Sequence, residues 1–291
     1  MVIHMSHGLQ EHIQFKSLLM YYRIVFLLFV FSCSCMHVQG QEKALYSVRY
    51  LQGDEKSAPQ DRHQYILDIG KETSHFYDWD EFVDEQINDS ICQKNGIIPK
   101  SKGVYEFACF GVSGFHVSPT HLHVLKNLPD VGCVTVTDMI LGLGDDSYFY
   151  YEEPMPEYNW EMLDSDTIIG GYDCQKARMF YRGHTWTAWY APEIAISDGP
   201  WKLCGLPGLI LEARDAEGEY HFKFSAMENN TKRDVAFSTN GYRKITPDKL
   251  YKLYRSADNY LAALVAKNAQ LRAGGTGYDK KKIPHLEYFE K

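Results

Sequence analysis

The amino-acid sequence predicts a mainly β fold of the α+β class: one domain with a meandering antiparallel sheet, partly covered by two helices. Three observations carry that reading. Hydrophobic residues alternate with a period of two along much of the chain beyond Gln41, aromatic residues make up 14% of the sequence, and glycine recurs where short turns are needed. With 291 residues, 45% of them hydrophobic, a sizeable core can be built. No repeat or low-complexity linker divides residues 41–291, so a single unit is expected there.

The first segment reads as an address. Ile24 to Cys33 is the one long apolar run, preceded by Arg23 and followed by Val38-Gln39-Gly40 with small or β-branched residues at the cleavage positions. It has about half of the roughly 20 residues a spanning helix needs, so residues 1–40 are expected to be a secretory signal peptide and the mature chain to begin at Gln41 without a transmembrane span. Residues 1–19 have no useful order, and a start at Met20 would make them a start-site artefact. The surroundings of Cys33 and Cys35 match a lipobox poorly, which speaks against a lipid anchor.

Beyond Gln41 the strands follow one another. Tyr46 to Tyr50 and Tyr65 to Ile69 alternate, as do Tyr220, Phe222, Phe224 and Ala226 against His221, Lys223 and Ser225. Tyr105 to Phe110, Val131 to Leu141, Ser147 to Glu152, Thr167 to Tyr181, Thr185 to Tyr190 and Leu209 to Arg214 are further strands, with hairpin tips at Arg182-Gly183-His184 and Asp215 to Gly218. Trp79, Phe82, Val83 and Ile87 recur at helical spacing behind Asp78, an N-cap. Thr246-Pro247 opens a second helix over 247–272, with a stripe from Leu250 to Val265, and Gly274-Gly275 ends it before an extended tail.

Composition removes several function classes. The formal net charge of -8 and the lack of a basic stripe exclude a nucleic-acid grip. No GxSxG elbow, HExxH or P-loop occurs. His116, His121 and His123 could share a strand face, but without a carboxylate beside them in the sequence they are read as surface histidines, and neither a metal nor any other cofactor is expected. Asp145-Asp146 and Glu152-Glu153 are read as solvated turn charges.

The segment from Asp164 to Leu211 is distinctive. Gly171-Tyr172-Asp173-Cys174-Gln175-Lys176-Ala177, the turn Arg182-Gly183, Ala188-Trp189-Tyr190-Ala191-Pro192-Glu193-Ile194, Asp198-Gly199-Pro200, and Gly205-Leu206-Pro207-Gly208-Leu209-Ile210 follow in order. Together they resemble the GLPGLI family, and Gln64 to Asp78 and Ile283 to Glu287 are similar to its outer parts. The resemblance implies an exported Bacteroidetes protein in a family without an established activity. At fold level the pattern is also similar to the antiparallel half-barrel, wrapped on helices, of periplasmic lipoprotein carriers, an analogy that says little about function.

Physical chemistry gives this segment a folding role first: Pro207 presets one corner of a type II turn, Gly208 supplies positive φ at the next, and Asp198 can bond its own backbone beside Gly199-Pro200. The competing reading is a ligand groove rimmed by Trp186, Trp189, Tyr190 and Trp201 with Arg182 and Glu193. Cys174 and Cys204, both inside the segment, are candidates for a disulfide worth roughly 3–4 kcal/mol, against the alternative of two buried thiols, and Cys109 with Cys133 is a weaker pair.

Three functions are carried forward. The first is a non-catalytic envelope protein, periplasmic or secreted, that binds a lipid, a peptide or an envelope component. The second is a secreted hydrolase centred on Arg182, Glu193 and Asp198, and the third is a structural or assembly module.

Overall fold

Alternating side chains do form strands. The computed structural model describes residues 42–52, 63–98, 122–140, 148–229 and 233–256, all within one compact unit, Gln41–Lys291. In chain order these are β1 (Glu42–Lys43), β2 (Tyr46–Gln52), β3 (His63–Ile69), β4 (Ser74–Asp78), α1 (Trp79–Asn95), β5 (His123–Lys126), β6 (Cys133–Met139) and β7 (Tyr148–Pro154). There follow β8 (Glu161–Ile169), β9 (Tyr172–Tyr181), β10 (His184–Ala191), β11 (Leu209–Asp215), β12 (His221–Asn229), β13 (Asp234–Val235), β14 (Arg243–Lys244) and a helix α2 over 247–256. The leader over 1–40, the strand over Tyr105 to Phe110, residues 257–272 of the expected second helix, the tail, and Cys109, His116, His121 and Asp145-Asp146 lie outside the described residues.

Twelve strands make one open sheet in the order β14, β7, β6, β5, β4, β3, β2, β12, β11, β10, β9, β8; β1 and β13 form a separate pair. Every neighbour is antiparallel except the short β14, which runs parallel to β7. The expected mainly β meander is therefore present. Short turns explain the sequential neighbours: Arg182 and Gly183, both with positive φ, close the β9–β10 hairpin as a two-residue turn.

Two expectations need correction. Thr167 to Tyr181 is not one strand, because Gly170 and Gly171 both take positive φ and turn the chain between β8 and β9. The flanking Ile168, Ile169 and Tyr172 had disguised that turn as a continuous apolar run. In α1, Asp78 caps as expected, its carboxylate accepting the Asp80 and Glu81 amides, and Gly96 closes the other end in the left-handed region. Its buried residues, however, are Glu81, Asn88 and Cys92, while Ile87 is 42% exposed. The face beneath mixes His75 and His123 with Tyr77, so the helix sets Glu81 against His123 and packs Phe82 on Tyr77.

One face of the sheet carries the hydrophobic core, and the other is covered only over part of β3 to β7, since β8 and alternate residues of β9, Phe180 among them, are exposed. On one face Val48, Tyr50, Leu67, Phe76, Val124, Val136, Phe149, Trp186, Ala188, Leu211 and Phe222 join a single hydrophobic core with Leu250 and Tyr254 of α2. Residues one step along the same strands, His75, Tyr77, His123 and Met139, point the other way, toward α1 and the segment around Phe237 and Tyr242. No helix among the described residues is long and apolar enough to cross a membrane.

Candidate functional site

The chain between β10 and β11, residues 192–208, has no regular secondary structure, yet most of its second half is buried. It lies on the core face. Tyr50 of β2 donates its hydroxyl to Ile210 O at 2.7 Å, and Trp160 donates its indole N–H to Cys204 O at 2.8 Å. Two buried lysines hold the segment from opposite directions. Lys126 of β5 donates to the Asp198 carboxylate, to Gly199 O at 2.7 Å and to Leu203 O at 3.5 Å. Lys202, with no exposed side-chain surface, donates to Tyr151 OH at 2.6 Å and to Glu153 Oε1 at 2.9 Å, and Glu153 also pairs with Arg182.

The reason lies in backbone chemistry. An irregular buried segment exposes carbonyls that no strand partner satisfies, and an ammonium group offers three donors from one atom. Asp198 then neutralises the charge while its Oδ1 also accepts the Gly199 amide at 2.7 Å. Burial, with Asp198 as the second cause, pushes the Tyr50 hydroxyl well above its ordinary pKa, and burial also raises the Cys204 thiol.

The residues singled out in the sequence fall into distinct places. Trp186 and Trp201 pack on each other with ring centres 5.6 Å apart, Trp186 also stacking on Tyr220 and Phe222, so both are core residues rather than a groove rim. Trp189 faces outward, sandwiched by Lys176 and Arg214. Tyr190 is buried and donates to Gln175 Oε1 at 2.7 Å. Pro192, Glu193, Gly205 and Pro207 are exposed, whereas Gly199, Pro200, Leu206, Gly208, Leu209 and Ile210 are buried. Arg182 and Asp198 answer to different partners, Glu153 and Lys126, and Glu193 is on the surface.

The expected disulfide is absent: Cys174 and Cys204 are both buried free thiols, as is the half-buried Cys133 a free thiol. Cys174 points back to Tyr172 O at 3.4 Å on β9, while Cys204 sits beside Tyr158 and Lys126, so shared membership of one motif did not bring the sulfurs together. The expected role of Gly208 is also corrected. Its φ is not positive; instead a Cβ there would lie 2.3 Å from Ala191 O, so glycine is required by close approach of two backbones. Gly205 supplies the left-handed residue, at φ 89°.

Beside this loop lies an open cleft of about 720 Å³. Its wall includes Ser74, Lys126, Asp198, Tyr158, Met155 and Ile196. Ser74 is only 3% exposed and its hydroxyl has no hydrogen-bond partner. In the antiparallel register Ser74 stands directly opposite Lys126, placing a hydroxyl, an ammonium and a carboxylate along one wall.

The other face carries its own polar line. His75 Nε2 and His123 Nδ1 are 2.8 Å apart, and His123 Nε2 is 3.0 Å from Glu81 Oε1. Burial, reinforced by His123, holds the His75 imidazole well below its ordinary pKa. Farther along, Tyr77 donates to Asp68, which Arg233 also binds. Carboxylates thus do stand beside His123, contrary to the sequence reading, because α1 delivers Glu81 and Glu85 from a distant part of the chain. Among the described residues, Glu81, Glu85 and His123 form one cluster of metal-ligand type, and His184, Asp215 and Glu219 another.

Sequence reasoning missed Ser74, Lys126 and Lys202, and it read Glu153 as a solvated turn charge, whereas Glu153 lies on β7 and pairs with Lys202 and Arg182. None carries a local signal, since lysines in alternating stretches read as solvent-facing.

A family model described as "Protein of unknown function (Porph_ging)" matches residues 179–212, overlapping most of the stretch that carries the GLPGLI resemblance, and it does not carry the GLPGLI name. No curated protein matches. Among solved structures, the chain is similar to "Structure of PNGF-II in P21 space group", at 12% identity and TM-score 0.43 over 69% of this chain and 31% of the other. It is similar also to "Structure of PNGF-II in C2 space group", at 12% identity and TM-score 0.46 over 73% and 33%. The chain spans about a third of the length of those structures.

Proposed function

We propose that this is a non-catalytic binding protein, acting outside the cytoplasm in the cell envelope, whose cleft beside the 192–208 loop takes a short peptide segment. The observation that supports the reading is the Ser74 hydroxyl: buried, without a partner, on the wall of the cleft beside Lys126 and Asp198. A buried hydroxyl left unsatisfied is costly, and a ligand that reaches it through a small side-chain movement of the cleft wall, supplying an amide or carbonyl, would remove that cost. Mixed walls of charged, hydroxyl and apolar groups suit a peptide better than a lipid tail, which would meet the Lys126–Asp198 pair.

The hydrolase centred on Arg182, Glu193 and Asp198 is disfavoured because Arg182 pairs with Glu153, Asp198 with Lys126, and Glu193 is on the surface. A serine–lysine hydrolase is disfavoured by the cleft's own atoms. A lysine that activates serine must be neutral and must reach its hydroxyl, whereas Lys126 directs its donors to Asp198, Gly199 O and Leu203 O. Export rests on the apolar run and cleavage pattern before Gln41; fractionation of the native host should find the chain outside the cytoplasm, and a cytosolic product would remove that part.

The binding reading is tested by screening the full chain against arrays of short peptides. Hits are expected to weaken by about 3–10-fold in Ser74→Leu, the value of one hydrogen bond, and to be recovered uncut. Peptides that bind Ser74→Leu as well as the parent, or that are cleaved, would refute it.

A further inference from the structure

The ends of the β9–β10 and β11–β12 hairpins bring His184, Asp215, Glu217 and Glu219 together, far in role from the cleft. We propose that these four residues form a binding site for a divalent first-row transition-metal ion such as zinc.

Asp215 is the reason to look here. Its side chain has 0% exposure, and one oxygen, Oδ1, accepts the Tyr220 amide at 2.8 Å. The other oxygen, Oδ2, is buried and makes no hydrogen bond. His184 Nδ1, 3.3 Å away, is likewise buried and without a hydrogen bond. Two such atoms at that distance, not aligned on each other, share the geometry of adjacent ligands on one ion. Donors at about 2.0–2.1 Å from a tetrahedral zinc are roughly 3.3 Å apart. Glu217 Oε2 lies 3.5 Å from the same His184 nitrogen, and ligand atoms of His184, Asp215 and Glu219 all fall within 4.8 Å of one another.

Local sequence explains the arrangement. Asp215-Ala216-Glu217-Gly218-Glu219 places a carboxylate at every second position around a turn that Gly218 makes with φ 74°. Asp215 N donates to Tyr220 O at 3.1 Å, closing the turn, while the Tyr220 amide fixes the Asp215 carboxylate as an outer-sphere hydrogen bond fixes a metal ligand. One imidazole with three carboxylates selects a borderline transition metal over calcium, which prefers oxygen alone.

The cluster under α1 differs in one decisive way. Both nitrogens of His123 already lie within hydrogen-bond distance of His75 and Glu81, so its imidazole has no lone pair to offer a metal without breaking that line.

The test uses tag-free full-length protein titrated with Co²⁺, whose visible bands report four-coordinate binding, then with Zn²⁺ in competition. One equivalent should bind per chain. Affinity should fall at least about 10-fold in Asp215→Asn and in Glu219→Gln, and stay unchanged in Glu228→Gln, which removes an exposed carboxylate paired with Arg49. Glu219 is exposed, so its variant reports on binding even where Asp215→Asn impairs folding. Absence of saturable Co²⁺ bands, or equal affinity in the Asp215→Asn and Glu219→Gln variants and the parent, would overturn the proposal.

Discussion

The two covers on this sheet, one on each face, are held by different means. On the core face the irregular 192–208 segment is tied down by full charges, Lys126 with Asp198 and Lys202 with Glu153. On the opposite face α1 rests over a hydrogen-bonded line from His75 through His123 to Glu81. A helix satisfies its own backbone apart from its ends, so only side chains need partners beneath it. An irregular cover leaves carbonyls such as Gly199 O and Leu203 O to be met from outside, and a lysine meets two of them while its charge is balanced by one carboxylate.

That contrast predicts unequal sensitivities. Lys126→Met leaves the Asp198 carboxylate buried without its cation and should cost about 3–5 kcal/mol in urea unfolding. Adding Asp198→Asn should recover part of the loss; a single-variant cost below about 1 kcal/mol would deny the lysine its anchoring role. Next comes the close approach under the loop. Gly208→Ala drives a methyl into Ala191 O and should cost at least about 3 kcal/mol, whereas Gly218→Ala, with nothing within 4 Å of the new carbon but a φ of 74°, should cost about 1 kcal/mol. Equal losses would show that the close approach to Ala191 O does not set the cost at Gly208.

The helix-covered face should reveal itself through pH. His75 is held neutral by burial, its pKa well below the ordinary 6.5. Its contribution is therefore complete above about pH 6.5 and is lost as pH falls from there toward the lowered value, because the unfolded chain takes up the proton first. The slope from this group approaches about 1.4 kcal/mol per pH unit. His75→Phe should flatten the profile between pH 6.5 and 5; an unchanged profile would mean that His75 is not held neutral. The smallest effect belongs to neither cover. Arg178 and Glu161 pair in full view of solvent on β9 and β8, and Arg178→Ala should change stability by less than about 0.5 kcal/mol.

How much of this was readable in the sequence depended on whether the cause was local. The strand period, the Asp78 cap and the Arg182-Gly183 turn are decided by neighbouring residues, and each is where the sequence places it. The Gly170-Gly171 turn is equally local but was hidden among apolar neighbours. Long-range pairing was not legible: Ser74 meets Lys126, and Lys126 meets Asp198, through sheet order alone. Gly208 was correctly marked as special for the wrong reason, since crowding by Ala191, not a positive φ, demands it. The cysteines teach the same lesson, for a shared motif places two thiols in one segment without making them neighbours.

The most direct measurement is native-state hydrogen exchange at the Leu203, Leu209 and Ile210 amides, which bond to Pro200 O, Ile194 O and Asp198 O. A loop that serves as a charge-anchored cover should exchange these amides only through near-global opening, at rates close to those of the β10 and β11 core. Exchange at the rate of a surface loop, with β10 and the rest of β11 still protected, would contradict it.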